Sequence, residues 1–149
     1  MKLSELRRYR RRVRQLGAVE QQLREYAVTD SVQGSKGAPS FEKTTRLVEG
    51  YPHTERVMQL LEQRHIIRRW LQSADDYIFS VEDERICTAL LLYCCDERFY
   101  EKTATQILGH KPTGKDPMVR IKWAHVAQEM QESSGDALRM AVYRYMLDD

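Results

Sequence analysis

The stretch 123-WAHVAQEMQESSGDALRMAVYRYML-147 decides how this chain is read. Trp123, Val126, Ala127 and Met130 recur at three- and four-residue intervals, which places an apolar stripe on one side of a short helix. The polar run from Gln131 to Gly135 breaks that period. Within it Ser133 or Ser134 offers a side-chain oxygen to the free amides of a second helix. The second helix is expected to bury Leu138, Ala141, Val142 and Tyr145 and to turn Asp136, Arg139 and Tyr143 to its opposite face. Two helices about a tight turn, the second carrying hydrogen-bonding side chains outward, match a helix-turn-helix whose second helix enters the DNA major groove. An ordinary helical hairpin with a solvated outer face has the same spacing.

Immediately upstream, Arg98, Lys102, Lys111, Lys115, Arg120 and Lys122 outnumber Glu101 and Asp116. Residues 123–149 themselves hold only Arg139 and Arg144 against five acids, so phosphate contacts are expected from this adjoining basic segment. Its first part, Tyr100 to His110, reads as a helix, and Lys111 to Pro117 as a loop. Before it, Ile86 to Cys95 is apolar nearly all round, which predicts a helix buried on several sides, capped by Ser80 or Asp83. Cys87, Cys94 and Cys95 lie inside this run without C-x-x-C spacing, as small buried hydrophobes of a reducing compartment do.

Further toward the N-terminus, Leu3, Leu6, Tyr9, Val13, Leu16, Leu23 and Ala27 keep near-heptad spacing and predict a long helix over 2–28. Glu55 to Phe79, capped by Thr54, predicts a second, with Val57, Leu60, Leu61, Ile67, Trp70, Leu71, Ala74 and Ile78 on its apolar face. Between them 29–52 is rich in Gly, Pro and Ser and reads as a flexible or hairpin-like connection. The expected architecture is therefore all-α. A coiled-coil-like helical hairpin occupies 1–80, and a small helical domain occupies 81–149 with the helix-turn-helix at 123–147. A seam of this kind needs a partner helix in the same chain or in a second copy, and a homodimer is expected.

Charge is unevenly spread. Residues 1–14 carry seven basic side chains against Glu5, a net of +6 in a chain whose formal net charge is +2. Such a cluster suits phosphate binding through Arg8, Arg11 and Arg12, or equally a solvated helix face.

Trp123-x-x-Val-Ala, the turn, and Arg139-Met-x-Val-x-Arg-Tyr145 resemble the C-terminal helix-turn-helix of small phage and prophage proteins of the RinA/ArpU type, related to region 4 of sigma factors. Asp30-Ser-Val-Gln-Gly-Ser35 and Leu47-Val-Glu-Gly-Tyr51 resemble a segment that such proteins carry after their first helix. Gln131 stands where these proteins have Gly, the turn is about one residue shorter, and Phe99 to Lys122 reads as an insertion. The resemblance implies a transcriptional regulator of phage late genes that binds double-stranded DNA. Ser134, Asp136, Arg139, Tyr143 and Arg144 would face DNA from the second helix. Lys111, Lys115, Arg120 and Lys122 would hold phosphates, and Arg8, Arg11 and Arg12 would act as an auxiliary clamp. Host RNA polymerase or another host protein is a further partner in that reading.

Catalytic chemistry finds little footing. The four histidines are dispersed, no nucleotide-binding or nucleophile-elbow motif is present, and Asp75-Asp76 are adjacent and so diverge around a helix. No catalytic residue, metal site or cofactor is expected. No apolar run is long enough to span a bilayer and no signal peptide is visible, so the expected location is cytoplasmic, away from membranes. Two rivals share the composition: a DNA-packaging protein resembling a small terminase subunit, and a phage-encoded inhibitor that binds a host machine through the helical hairpin.

Overall fold

A computed structural model describes residues 1–36, 47–48, 51–52 and 54–147, with side chains over 1–27, 51–52 and 54–147. Among the described residues the chain is all-α apart from one two-stranded antiparallel pair, β1 (Leu47–Val48) and β2 (Tyr51–Pro52), in which Val48 faces Tyr51. The helices are α1 (Leu3–Leu6), α2 (Tyr9–Lys36), α3 (Glu55–Ser80), α4 (Glu84–Leu90), α5 (Glu97–Leu108), α6 (Trp123–Glu129) and α7 (Gly135–Leu147). A π-helical turn (Leu91–Cys95) follows α4. No helix among the described residues is long and apolar enough to cross a membrane.

Two compact units divide the chain. One holds residues 11–72. Here Val19 and Leu23 of α2 and Val57, Leu60 and Ile67 of α3 are buried together, with Leu16, Tyr26, Tyr51, Leu61 and Leu71 partly covered. Each helix thus supplies the apolar surface that the other's seam requires. Arg68 of α3 reaches Glu20 of α2 at 2.7 Å, and Arg56 donates to Gln22 at 2.9 Å, at the rim where solvent keeps such pairs weak.

The other unit holds residues 1–10 and 73–149. The division therefore runs inside α2 and α3, whereas the composition placed a single boundary at 80/81. Its core gathers Leu6, Ala74, Ile78, Ala89, Leu90, Cys94, Ala104, Val126, Leu138 and Val142, each at most 1% exposed. α6 packs on α7, and α4 lies against α7.

Three expectations change. The first helix does not run unbroken over 2–28: α1 is a separate turn, and α2 begins at Tyr9 and continues to Lys36. Gly34 inside it disfavours helix by only about 1 kcal/mol, too little to end one. The expected connection is thus helical in its first part, and 37–46, 49–50 and 53 lie outside the described residues. Third, the apolar run 86–95 is not one regular helix, because Leu91–Cys95 widens into a π-turn that Asp96 closes with its N–H on the Leu91 carbonyl at 2.8 Å. Asp83 caps α4 by accepting from the Arg85 and Ile86 amides, and Asp96 caps α5 through the Phe99 amide at 2.8 Å.

Candidate nucleic-acid interface

α6 ends in a Schellman motif. The Glu132 amide reaches back to the Ala127 carbonyl at 2.8 Å and the Gln131 amide to Gln128 at 3.1 Å. The geometry requires a left-handed residue between them, and Gln131 takes it, with φ 60°. A side chain in that region costs roughly 1–2 kcal/mol, while Gly forfeits about half to one in backbone entropy. Gln131→Gly should therefore raise stability by about 0.5–1 kcal/mol in urea unfolding, and Gln131→Val should lower it. Equal stability of the Gly and Val variants would contradict the motif.

The turn is held from outside. Arg85 of α4 grips Glu132 with Nε at 3.0 and 3.1 Å and Nη2 at 2.6 Å. This hydrogen bonding holds the Glu132 carboxyl below its usual range and raises Arg85. On the far side Lys102 of α5 meets Glu129 at 3.0 Å. Two of the acids that made the terminal segment look unsuited to phosphates are therefore matched by cations of the same unit. Neither lines the groove described next.

α7 starts at Gly135, with Ser134 Oγ accepting the Ala137 amide at 3.1 Å. Leu138 and Val142 are fully buried, while Ala141 and Tyr145 are half-buried. Gly135 lies directly on the start of α6: a Cβ there would stand 2.7 Å from the Ala124 nitrogen and 2.9 Å from the Trp123 carbonyl carbon. At the start of α6 the Lys122 amide donates to His125 Nδ1 at 3.1 Å.

Along the start of α7 runs an open groove of about 920 Å³. Ser133, Ser134, Asp136, Arg139 and Tyr143 line it from the turn and α7, Arg120 and Lys122 from the segment before α6, and Arg7 from the N-terminal segment. Its charged lining is four cations and Asp136 alone. The unsatisfied amides at the start of α7 add partial positive charge. Arg120, Lys122, Asp136 and Arg139 are exposed and Tyr143 is half-buried, so neither Arg139 nor Tyr143 is sealed in the interior. At the groove's base Tyr93 stacks on Trp123, ring centroids 4.0 Å apart and planes 11° from parallel.

The other sequence-derived candidates lie elsewhere. Lys111 is 3.4 Å from Glu101, and Lys115 and Arg144 are exposed but do not line the groove. The Lys111–Lys115 loop is shaped by Asp116, which accepts from the Thr113 amide at 2.8 Å and thereby titrates below its usual range. Arg8 is exposed between α1 and α2, outside the groove lining. Arg11 and Arg12 belong to the other unit, where Arg12 sits 5.6 Å over the Trp70 ring and donates to Gln15.

The residue that the N-terminal segment does contribute, Arg7, carried no signal distinguishing it from its arginine neighbours. Arg10 is equally unannounced. It is 5% exposed and donates Nη1 to the Tyr93 carbonyl at 2.7 Å and Nη2 to those of Leu92 at 2.7 Å and Asp96 at 3.0 Å.

Among the described residues no group of three His, Cys, Asp or Glu side chains could hold a metal ion. Burial pushes the Cys94 thiol up to about 12, so it stays protonated at neutral pH and is a poor nucleophile. No protein-family model, curated protein or solved structure matches this chain.

Proposed function

We propose that this chain is a phage- or prophage-encoded transcriptional regulator that binds duplex DNA through its C-terminal helix-turn-helix, α6 and α7. The observation that supports the reading best is convergence. Arg120, Lys122, Ser134, Asp136, Arg139 and Tyr143, each singled out as a DNA contact, line one open, cationic groove.

Arg120 and Lys122 supply the phosphate contacts that set register, and Arg139 supplies the planar fork that pairs with the O6 and N7 acceptors of guanine. Asp136 suits the amino group of cytosine. The phage assignment rests on the resemblance of 123–147, not on the groove.

The test is the salt dependence of binding to a fluorescent duplex. Each phosphate contact contributes about −0.9 to the slope of log affinity against log salt. Replacing Arg120 and Lys122 together with Ala should therefore flatten the slope by roughly 1.8, whereas Lys115→Ala should leave it as it is. An unchanged slope in the double variant would reject the groove as the phosphate site.

A further inference from the structure

We infer that the groove seats one sugar–phosphate strand and that Arg7 grips this strand from the N-terminal segment, which makes α1 part of the interface. The inference rests on the DNA-binding reading and adds to it a contact outside the helix-turn-helix.

Arg7 is placed there by its neighbours on both sides. Leu3 and Leu6 of α1 are 6% and 0% exposed, and three residues after Arg7 the buried Arg10 is clamped onto the carbonyls closing the π-turn. The segment is thus pinned both before and after Arg7. The Arg7 guanidinium lies 5.6 Å from the Tyr93 ring centroid, and its Nη2 is 3.4 Å from Tyr143 Oη. Both partners are neutral, and neither satisfies the five donors of the fork.

No carboxylate among the described residues lies within ion-pairing distance of Arg7, Arg120, Lys122 or Arg139. Elsewhere in the same unit Arg85, Lys102 and Lys111 each have an acid within 3.4 Å. Inside the groove four cations share Asp136 as their one acidic neighbour in the lining, and none of them is ion-paired to it. An external polyanion is what such an arrangement accommodates, since phosphates brought in at Arg7, Arg120 and Lys122 neutralise these cations and release condensed counterions, while Arg139 is left for a base edge. A run of phosphodiesters meets this better than a single anion, because Arg7 comes from a different stretch of chain from Arg120 and Lys122.

Binding of one labelled duplex, measured from low salt to about 0.3 M, separates the possibilities in wild type, Arg7→Ala, Arg7→Lys and Arg8→Ala. Arg7→Ala should flatten the salt slope by about 0.9 and weaken binding about fivefold near 0.15 M salt. Arg7→Lys keeps the charge and should restore the slope. Arg8→Ala, exposed one residue away but outside the groove, should match wild type. Thermal unfolding of the same variants controls for folding, and the lysine variant keeps the test decisive if the alanine variant is unstable. Wild-type binding with an Arg7→Ala slope equal to it overturns the Arg7 contact while the DNA reading stands. Failure of wild type to bind any duplex at low salt overturns both.

Discussion

Replacing Arg10 with Met should destabilise the protein by on the order of 3–5 kcal/mol in urea unfolding, while Arg8→Ala, two residues earlier, should change stability by no more than about 0.5 kcal/mol. The difference follows from where the π-turn ends. Asp96 leaves the helix with ψ 115°, so no following amide continues the ladder for the Leu92 and Tyr93 carbonyls. Arg10 takes these two and the Asp96 carbonyl at 2.7 to 3.0 Å, with its guanidinium 5.3 Å from the Tyr100 ring centroid. A cation at a helix C-terminus is favoured by the peptide dipoles as well. Hydrogen bonds to a charged donor each contribute about 1.5–3 kcal/mol, and stranded buried carbonyls add their own desolvation cost, though the terms do not sum. Lysine should recover only part of the loss, because a single ammonium lacks the planar fork that spans three acceptors. A Met variant within 1 kcal/mol of wild type would mean that water serves these carbonyls as well as Arg10 does.

Arg10 also marks where sequence reasoning stops. Patterning located the terminal pair of helices and Leu138 and Val142 on the buried face, and narrowed the caps to Ser133 or Ser134 and to Ser80 or Asp83, of which Ser134 and Asp83 serve, because each depends on residues within a turn or two. Nothing local separates Arg10 from Arg8, Arg11 or Arg12: all belong to one basic run, and burial of one is decided by carbonyls about 83 residues away in sequence. Arg7 escaped for the same reason, its place in the groove being set by Tyr93 and Tyr143. The electrostatics of 123–147 were misleading for a related cause. Counting acids along the chain does not reveal that Glu129 and Glu132 are matched by Lys102 and Arg85. The break in the polar run was legible as a break, but not that its two ends do different work: Gln131 adopts the left-handed turn, and Gly135 permits contact between helices.

That contact yields a sharp expectation, because the same substitution should have opposite signs at two glycines. At Gly135 an added Cβ meets backbone, the Ala124 nitrogen at 2.7 Å and Cα at 2.8 Å, and backbone cannot step aside as a flexible side chain would. Gly135→Ala must lift α7 off α6, at about 1–3 kcal/mol for overpacking of this kind. Gly17 lies inside α2, exposed, where an added Cβ would meet nothing within 4 Å. Gly17→Ala should therefore stabilise by about 0.5–1 kcal/mol through helix propensity alone. The displacement at Gly135 also matters for binding. Arg139 and Tyr143 ride on α7, whereas Arg120 and Lys122 precede α6, so parting the helices separates the two halves of the groove. Duplex affinity of Gly135→Ala should fall at least tenfold at temperatures where the variant is still folded. Ala124→Gly should not rescue it, since the obstructing atoms are main chain. Wild-type stability and affinity in Gly135→Ala would show that the two helices have room to spare, and the groove could not then depend on their close approach.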